Sequence, residues 1–252
     1  MEKKLDISVI SPVFNEVENL ETFVESVTEV MNSINMSWEL IIIDDGSDDG
    51  SSKILKKIGR QENIRSILLS KNYGQTTAIQ AGFDNAVGEY FVTLDSDLQN
   101  DPKDIPTLIQ KLIKEELDLV VGWRKDRKDN YFFRNLPSIL ANKLIGTITG
   151  VKLHDYGCSL KAYRGEVLRE VKLYGEMHRF IPAWMATKIP ASKISEIEVT
   201  HHPRIAGESK YGISRTFRVF VDLISVYFLK FFLSLIGSFR QNLSLFIKII
   251  SL

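Results

Sequence analysis

Short apolar runs alternate with stretches of helical period along the first half of the chain. The runs at 7–10, 38–43, 64–69, 90–94 and 117–122 are brief and rich in Ile, Val and Leu, and they predict five buried strands. Between the first two, Leu20, Phe23, Val24, Val27, Val30, Met31 and Ile34 recur at the three- and four-residue spacing that gives a helix one apolar face. Ile54, Leu55 and Ile58 mark a second, shorter helix. Residues 76–87 predict a third, whose small side chains suit close packing on a sheet. Pro102 or Pro106 starts a fourth, because proline is tolerated in a first turn. This alternation predicts an α/β fold: a mainly parallel sheet flanked by helices, with right-handed crossovers.

Beyond Trp123 the rhythm loosens. Residues 125–134 predict a charged, aromatic loop, 136–149 a helix, 193–199 a late strand, and 201–212 a polar, basic loop. Ser214 suits the N-cap of a long apolar helix after it. From Phe217 to Leu252 the chain is dense in Phe, Leu, Ile and Val, yet Asp222, Lys230, Arg240 and Lys248 interrupt it. No uncharged run there approaches the ~18 residues of a spanning helix. Amphipathic helices lying at a membrane surface are the expectation; a buried core helix with a fraying tail is the alternative.

Charge and cysteine content narrow the function classes. Lys+Arg and Asp+Glu are both 32, so no net charge draws the chain to nucleic acid. The single cysteine, Cys158, excludes an internal disulfide and a cysteine-based zinc site, and fits a reducing compartment. No apolar core follows Lys3 and Lys4, so no signal peptide is expected.

The candidate chemistry sits where the predicted strands end. The fourth strand runs into Asp95 and Asp97. Alternate residues of an extended chain share a face, and two hard oxygen donors suit a Mg²⁺ or Mn²⁺ that also holds substrate phosphates. In open α/β sheets the carboxyl ends of strands are where ligands bind. After the first strand comes Ser11-Pro12-Val13-Phe14-Asn15-Glu16, with no glycine where a dinucleotide-binding turn needs one, so NAD and FAD are not expected. Pro12 rigidly presents Asn15 and Glu16, which also read as a helix cap and an acidic first turn. After the second strand, Asp44 and Asp45 could accept from a nucleobase or ribose, or simply build a turn. After the third, Gly74 would let the backbone approach a ligand, or is a plain loop glycine.

Together the segments SPVFNE, IIIDDGSDDG, LSKNYGQTTAIQAG and TLDSDLQNDP resemble the glycosyltransferase A (GT-A), Rossmann-like fold of the large inverting family 2. The resemblance covers roughly residues 7–124. It implies that Asp44 or Asp45 contacts the nucleotide, that Asp95 and Asp97 hold the metal and the donor diphosphate, and that Gln99 is a further metal contact. The later segments LVVGWRKDR, DYGCSLKAYR, LYGEMHRFIP and HHPRIAGESKYG resemble polyprenyl-phosphate glycosyltransferases, including dolichyl-phosphate mannose synthases. That resemblance implies a nucleotide-sugar donor and a polyprenyl-phosphate acceptor. Arg124, Arg127, Arg134, Arg204 and Lys210 match in kind the cations that grip donor and acceptor phosphates. His178 and Arg179 fall in a segment placed near the acceptor, and Asp155 could reach the sugar. The Q-x-x-R-W signature of processive polysaccharide synthases is absent.

The resulting expectation is a GT-A domain over 1–212 and a membrane-associating helical segment over 213–252, at the cytoplasmic face of a membrane. The reaction expected is inverting sugar transfer to a polyprenyl phosphate. A family 2 enzyme acting on a glycan or cell-wall acceptor is the alternative. A non-catalytic scaffold of the same fold would have no reason to keep both Asp95 and Asp97. A homo-oligomer is compatible with the sequence.

Overall fold

The computed structural model describes residues 5–125, 146, 150–173 and 175–203. The predicted helix over 136–149, the loop cations Arg127, Arg134, Arg204 and Lys210, and the apolar segment from Phe217 to Leu252 lie outside the described residues.

Among the described residues seven strands form one sheet: β1 (Ile7–Val13), β2 (Trp38–Asp44), β3 (Ile64–Leu68), β4 (Tyr90–Thr93), β5 (Leu119–Trp123), β6 (Lys161–Arg164) and β7 (Ile194–Glu198), in the order β3-β2-β1-β4-β6-β5-β7. β1 pairs in parallel with β2 and β4, β2 with β3, and β5 with β7. β6 alone runs antiparallel, between β4 and β5. The sheet is thus mainly parallel, as the alternating pattern predicts, with one inserted strand that the pattern does not reveal. Only four residues long, β6 has the sequence Lys-Ala-Tyr-Arg, too short and too polar to register as an apolar run.

The central strands are buried on both faces, and each face carries its own core. On one side α1 (Leu20–Ser33), α2 (Ser51–Ile58) and α4 (Ile105–Lys114) pack against Ile7, Val9, Leu40, Ile42 and Val92. On the other, α3 (Gln75–Asn85), α5 (Gly165–Arg169) and α6 (Ile181–Met185) pack against Ile10, Ile41, Ile43, Phe91 and Val121. The alternation of Val9 and Ile10 between the two cores is the pleat itself. The six periodic residues from Leu20 to Met31 are all buried, as an amphipathic helix requires. In α3 the close packing expected from small residues is realised at Gly82, where a Cβ would lie 2.3 Å from Ile10 Cγ2 and 2.9 Å from Ile43 Cδ1.

The chain moves outward from β1 through β2 to β3, then crosses back to lay β4 on the other side of β1. That reversal leaves a crevice beyond the carboxyl ends of β1 and β4, the place where doubly wound sheets bind ligands.

Candidate active site

A cleft occupies this crevice. Pro12, Val13, Phe14 and Glu16 line it from the end of β1, Asp45 from β2, Asn72, Gly74 and Gln75 from the approach to α3, and Asp95, Ser96 and Asp97 from the end of β4.

Its first wall is two loops laced together. The Asn15 and Glu16 N–H groups donate to Ser47 Oγ (2.9 Å) and Ser51 Oγ (3.1 Å), and the Val17 N–H to Asp49 Oδ2 (3.0 Å). The Asn15 amide and Asp48 exchange a second pair of bonds at 2.8 and 3.0 Å. Asn15 itself has φ +53°, a conformation its short polar side chain tolerates. The helix-cap reading of Asn15 is therefore corrected: Asn19 holds the N-cap position of α1, and Asn15 fastens one loop to the next. Glu16 likewise lies before the first turn, and its side chain accepts from Asn19 Nδ2 at 2.8 Å.

The two acidic residues after β2 part company. Asp44 is committed to its own turn, accepting from the Ser47 N–H (3.0 Å) and from Ser52 Oγ. Asp45 reaches the cleft and accepts from the N–H groups of Tyr73 and Gly74, each at 2.8 Å. Burial raises its pKa against the lowering effect of those two bonds. Gly74 has φ +94°, ψ 153°, which a side-chain-bearing residue resists. Outside its chain neighbours no atom lies within 4 Å of the position its Cβ would occupy, so there is space beside it, although its N–H is given to Asp45 and its carbonyl to the first turn of α3.

Asp95 and Asp97 follow β4 on a loop that turns at Leu98, φ +58°. Burial, and then the charge of Asp97, push the Asp95 pKa up to about 6; Ser159 and the charges of Lys161 and Arg124 pull it partly back. Two carboxylates driven together in this way are a donor set that a divalent cation would relieve, and their hard oxygens fit Mg²⁺ or Mn²⁺. No third His, Cys, Asp or Glu joins them in a metal-sized cluster among the described residues. Gln99 follows Asp97 by two residues; its N–H donates to Asp97 Oδ1 (3.2 Å) and its carbonyl accepts from the His202 N–H (2.7 Å).

Behind Asp95 lies a buried ionic layer. Arg124, just past β5, grips Asp155 through both prongs of its fork, Nε to Oδ2 at 2.7 Å and Nη2 to Oδ1 at 3.0 Å. The two side chains are 12% and 7% exposed. Burial opposes the guanidinium charge, yet Asp155 holds the Arg124 pKa above its normal value. Lys161 of β6 is buried too, its pKa lowered by burial, and donates to the Cys158 carbonyl. Burial pushes the Cys158 thiol up to about 11, which leaves it an inert small residue.

The segment carrying His178 and Arg179 packs onto the first turn of α3. His178 Nδ1 lies 2.7 Å from Thr76 Oγ1, and Arg179 Nε donates to His178 Nε2 at 3.1 Å. Because arginine only donates, Nε2 accepts and Nδ1 carries the proton to Thr76.

Three residues of this neighbourhood escaped the sequence reading. Gln75 Nε2 donates to Asp95 Oδ1 at 2.9 Å. Ser159 Oγ accepts from the Asp95 N–H (3.4 Å) and from Asn100 Nδ2 (2.9 Å). Lys161 completes the set. A polar residue directly after Gly74 was a legible signal for Gln75; Ser159 and Lys161 depend on β6, which gave none.

An acidic pair beside a cleft at the switch point of a mainly parallel sheet marks a ligand-binding site of the α/β class, and the comparisons name the family. Residues 8–172 match the profile of Glycosyl transferase family 2, and the chain belongs to that family. It is 53% identical over 245 residues to the dodecaprenyl-phosphate galacturonate synthase of Rhizobium johnstonii, covering 96% of this chain and 72% of that protein. It is 38% identical over 221 residues to the undecaprenyl-phosphate 4-deoxy-4-formamido-L-arabinose transferase of Aeromonas hydrophila, covering 87% and 67%. Among solved structures, the glucosyl-3-phosphoglycerate synthase of Mycobacterium tuberculosis, in complex with Mn²⁺, UDP-glucose and phosphoglyceric acid, superposes with TM-score 0.67 at 18% identity, covering 90% of this chain and 79% of that one. That likeness establishes the GT-A fold.

Proposed function

We propose that this chain transfers a sugar, with inversion, from a nucleotide-sugar to a polyprenyl phosphate. The observation that carries the reading is the Asp95–Asp97 pair at the switch-point cleft, in a chain 53% identical to a dodecaprenyl-phosphate galacturonate synthase. Asp95 and Asp97 would hold a Mg²⁺ or Mn²⁺, which when bound neutralises charge on the departing nucleoside diphosphate. Asp45 and the space beside Gly74 would take the nucleotide, with Pro12 and Glu16 also lining the cleft. The Arg124–Asp155 pair acts as a fixed electrostatic frame behind Asp95, since both prongs of the guanidinium are committed. The acceptor phosphate falls to His178 and Arg179 and to the loop cations Arg127, Arg134, Arg204 and Lys210. Held in line behind the anomeric carbon, it gains the advantage of proximity.

The test is incubation with undecaprenyl phosphate, Mn²⁺ and a panel of nucleotide-sugars led by a uronic acid donor, followed by mass spectrometry of the lipid. A glycosylated lipid phosphate is expected. Transfer only to soluble glycans would overturn the acceptor assignment.

Among the described residues no helix is long and apolar enough to cross a membrane. The membrane surface is proposed as a partner through residues 217–252, whose apolar content is broken by charge. Deleting them should release the protein from liposomes. Sedimentation equal to that of the full chain would refute this attachment.

A further inference from the structure

We propose that Gln75 is a positioning residue for the metal carboxylate Asp95, a role that rests on the reading of Asp95 and Asp97 as metal ligands. The Gln75 amide donates to Asp95 Oδ1 at 2.9 Å from the first residue of α3. Its neighbours on both sides are pinned. Gly74 gives its N–H to Asp45 Oδ2 at 2.8 Å, and Thr76 meets His178 Nδ1 at 2.7 Å through its buried hydroxyl. The amide is therefore presented from a fixed turn. The segment just before β6 supplies a second support: Ser159 Oγ takes the Asp95 N–H and is itself held by Asn100 Nδ2 at 2.9 Å. Thr93 Oγ1 donates to the Ser159 carbonyl at 2.7 Å, which ties the end of β4 to the segment before β6.

A carboxylate gripped at one oxygen from α3, on a backbone itself tied to Ser159, has fewer orientations open to it before any cation arrives. Metal ligands oriented in this way by outer hydrogen bonds bind more tightly, and loss of such a partner typically costs about 10- to 100-fold in metal affinity. Gln75 suits the task because it donates without bringing a charge. A lysine there would neutralise Asp95 and compete with the cation, and a glutamate would add a further negative charge to a cleft already lined by Glu16, Asp45, Asp95 and Asp97.

The experiment is titration of the full-length, metal-stripped protein with Mn²⁺ alone, following free Mn²⁺ by electron paramagnetic resonance at pH 7.5. Wild type, Asp97→Asn, Gln75→Leu and Gln75→Asn are compared, with apoprotein melting measured for each. Gln75→Leu keeps the bulk and removes the donor; Gln75→Asn keeps the amide but falls one methylene short. Both are expected to bind Mn²⁺ about 10-fold or more weakly, with melting close to wild type. If Gln75→Leu does not fold, Gln75→Asn carries the test. Wild-type affinity in the folded variants, or lowered melting with unchanged affinity, overturns the positioning role. Absence of Mn²⁺ binding by the wild type, or unchanged binding by Asp97→Asn, overturns the metal reading itself and separates the two failures.

Discussion

Asp95 is where the site's electrostatics concentrate. Its pKa, raised to about 6 by burial and by Asp97, lies above the ordinary 3.8. In the metal-free protein the folded state therefore binds a proton that the unfolded chain does not, in the window between about pH 4 and 6. The ionised carboxylate destabilises the fold above that window, and the penalty fades as pH falls through it. A cation needs the deprotonated form. Mn²⁺ should accordingly raise the melting temperature more at pH 7.5 than at pH 5. An equal rise at both values would exclude Asp95 as a ligand. Asp97→Asn, which leaves a poorer oxygen donor, should lower turnover by on the order of 10²-fold or more at saturating donor. Turnover within a few-fold of wild type, with normal melting, would remove Asp97 from the metal site.

Between elements, the Arg124–Asp155 pair joins the end of β5 to the segment leading into β6. The sequence resemblance offers Arg124 as a cation that grips phosphates. In the fold it is enclosed with its partner, so removing either side chain strands a buried charge. Arg124→Ala and Asp155→Ala should each destabilise by roughly 3–5 kcal/mol. The double variant should lose clearly less than the sum, as for any directly coupled pair. Chemical denaturation of the three variants measures this. Additive losses would mean that the two residues act separately, and would return Arg124 to the ligand.

At the scale of the molecule, the proposed nucleophile is a phosphate monoester, whose second pKa is about 6. It is an anion at neutral pH and needs no general base, unlike a sugar hydroxyl. Asp95 titrates in the same range when metal-free, so the two must be separated. At saturating Mn²⁺, where Asp95 is held ionised, the rate should still rise with pH through the acceptor's ionisation and then level off. A competent free polyprenol acceptor, with a profile that follows one enzyme carboxylate, would overturn the phosphate acceptor.

Strands β1 to β5, helices α1 to α4 and the placing of Asp45, Asp95 and Asp97 at strand ends are local matters. Apolar period and strand length settle them within a few residues of sequence, and Asp95-Ser96-Asp97 needs only one strand to present it. Which of Asp44 and Asp45 faces the cleft was not legible, because the choice lies in bonds to Ser47 and Ser52 on one side and to Tyr73 and Gly74, nearly thirty residues on, on the other. Nor was β6, whose four residues are a strand only because β4 and β5 flank them. With β6 unseen, Ser159 and Lys161 had no route to the site, and Arg124 had no partner to bury it. The sequence by itself determined the layered α/β plan and the acidic pair that marks its chemistry, since both arise from residues close together in the chain. Only the tertiary structure decided how that pair is held, because Gln75 and Ser159 reach Asp95, and the charges of Arg124 and Lys161 act on it, through the packing of distant segments, which no local pattern encodes.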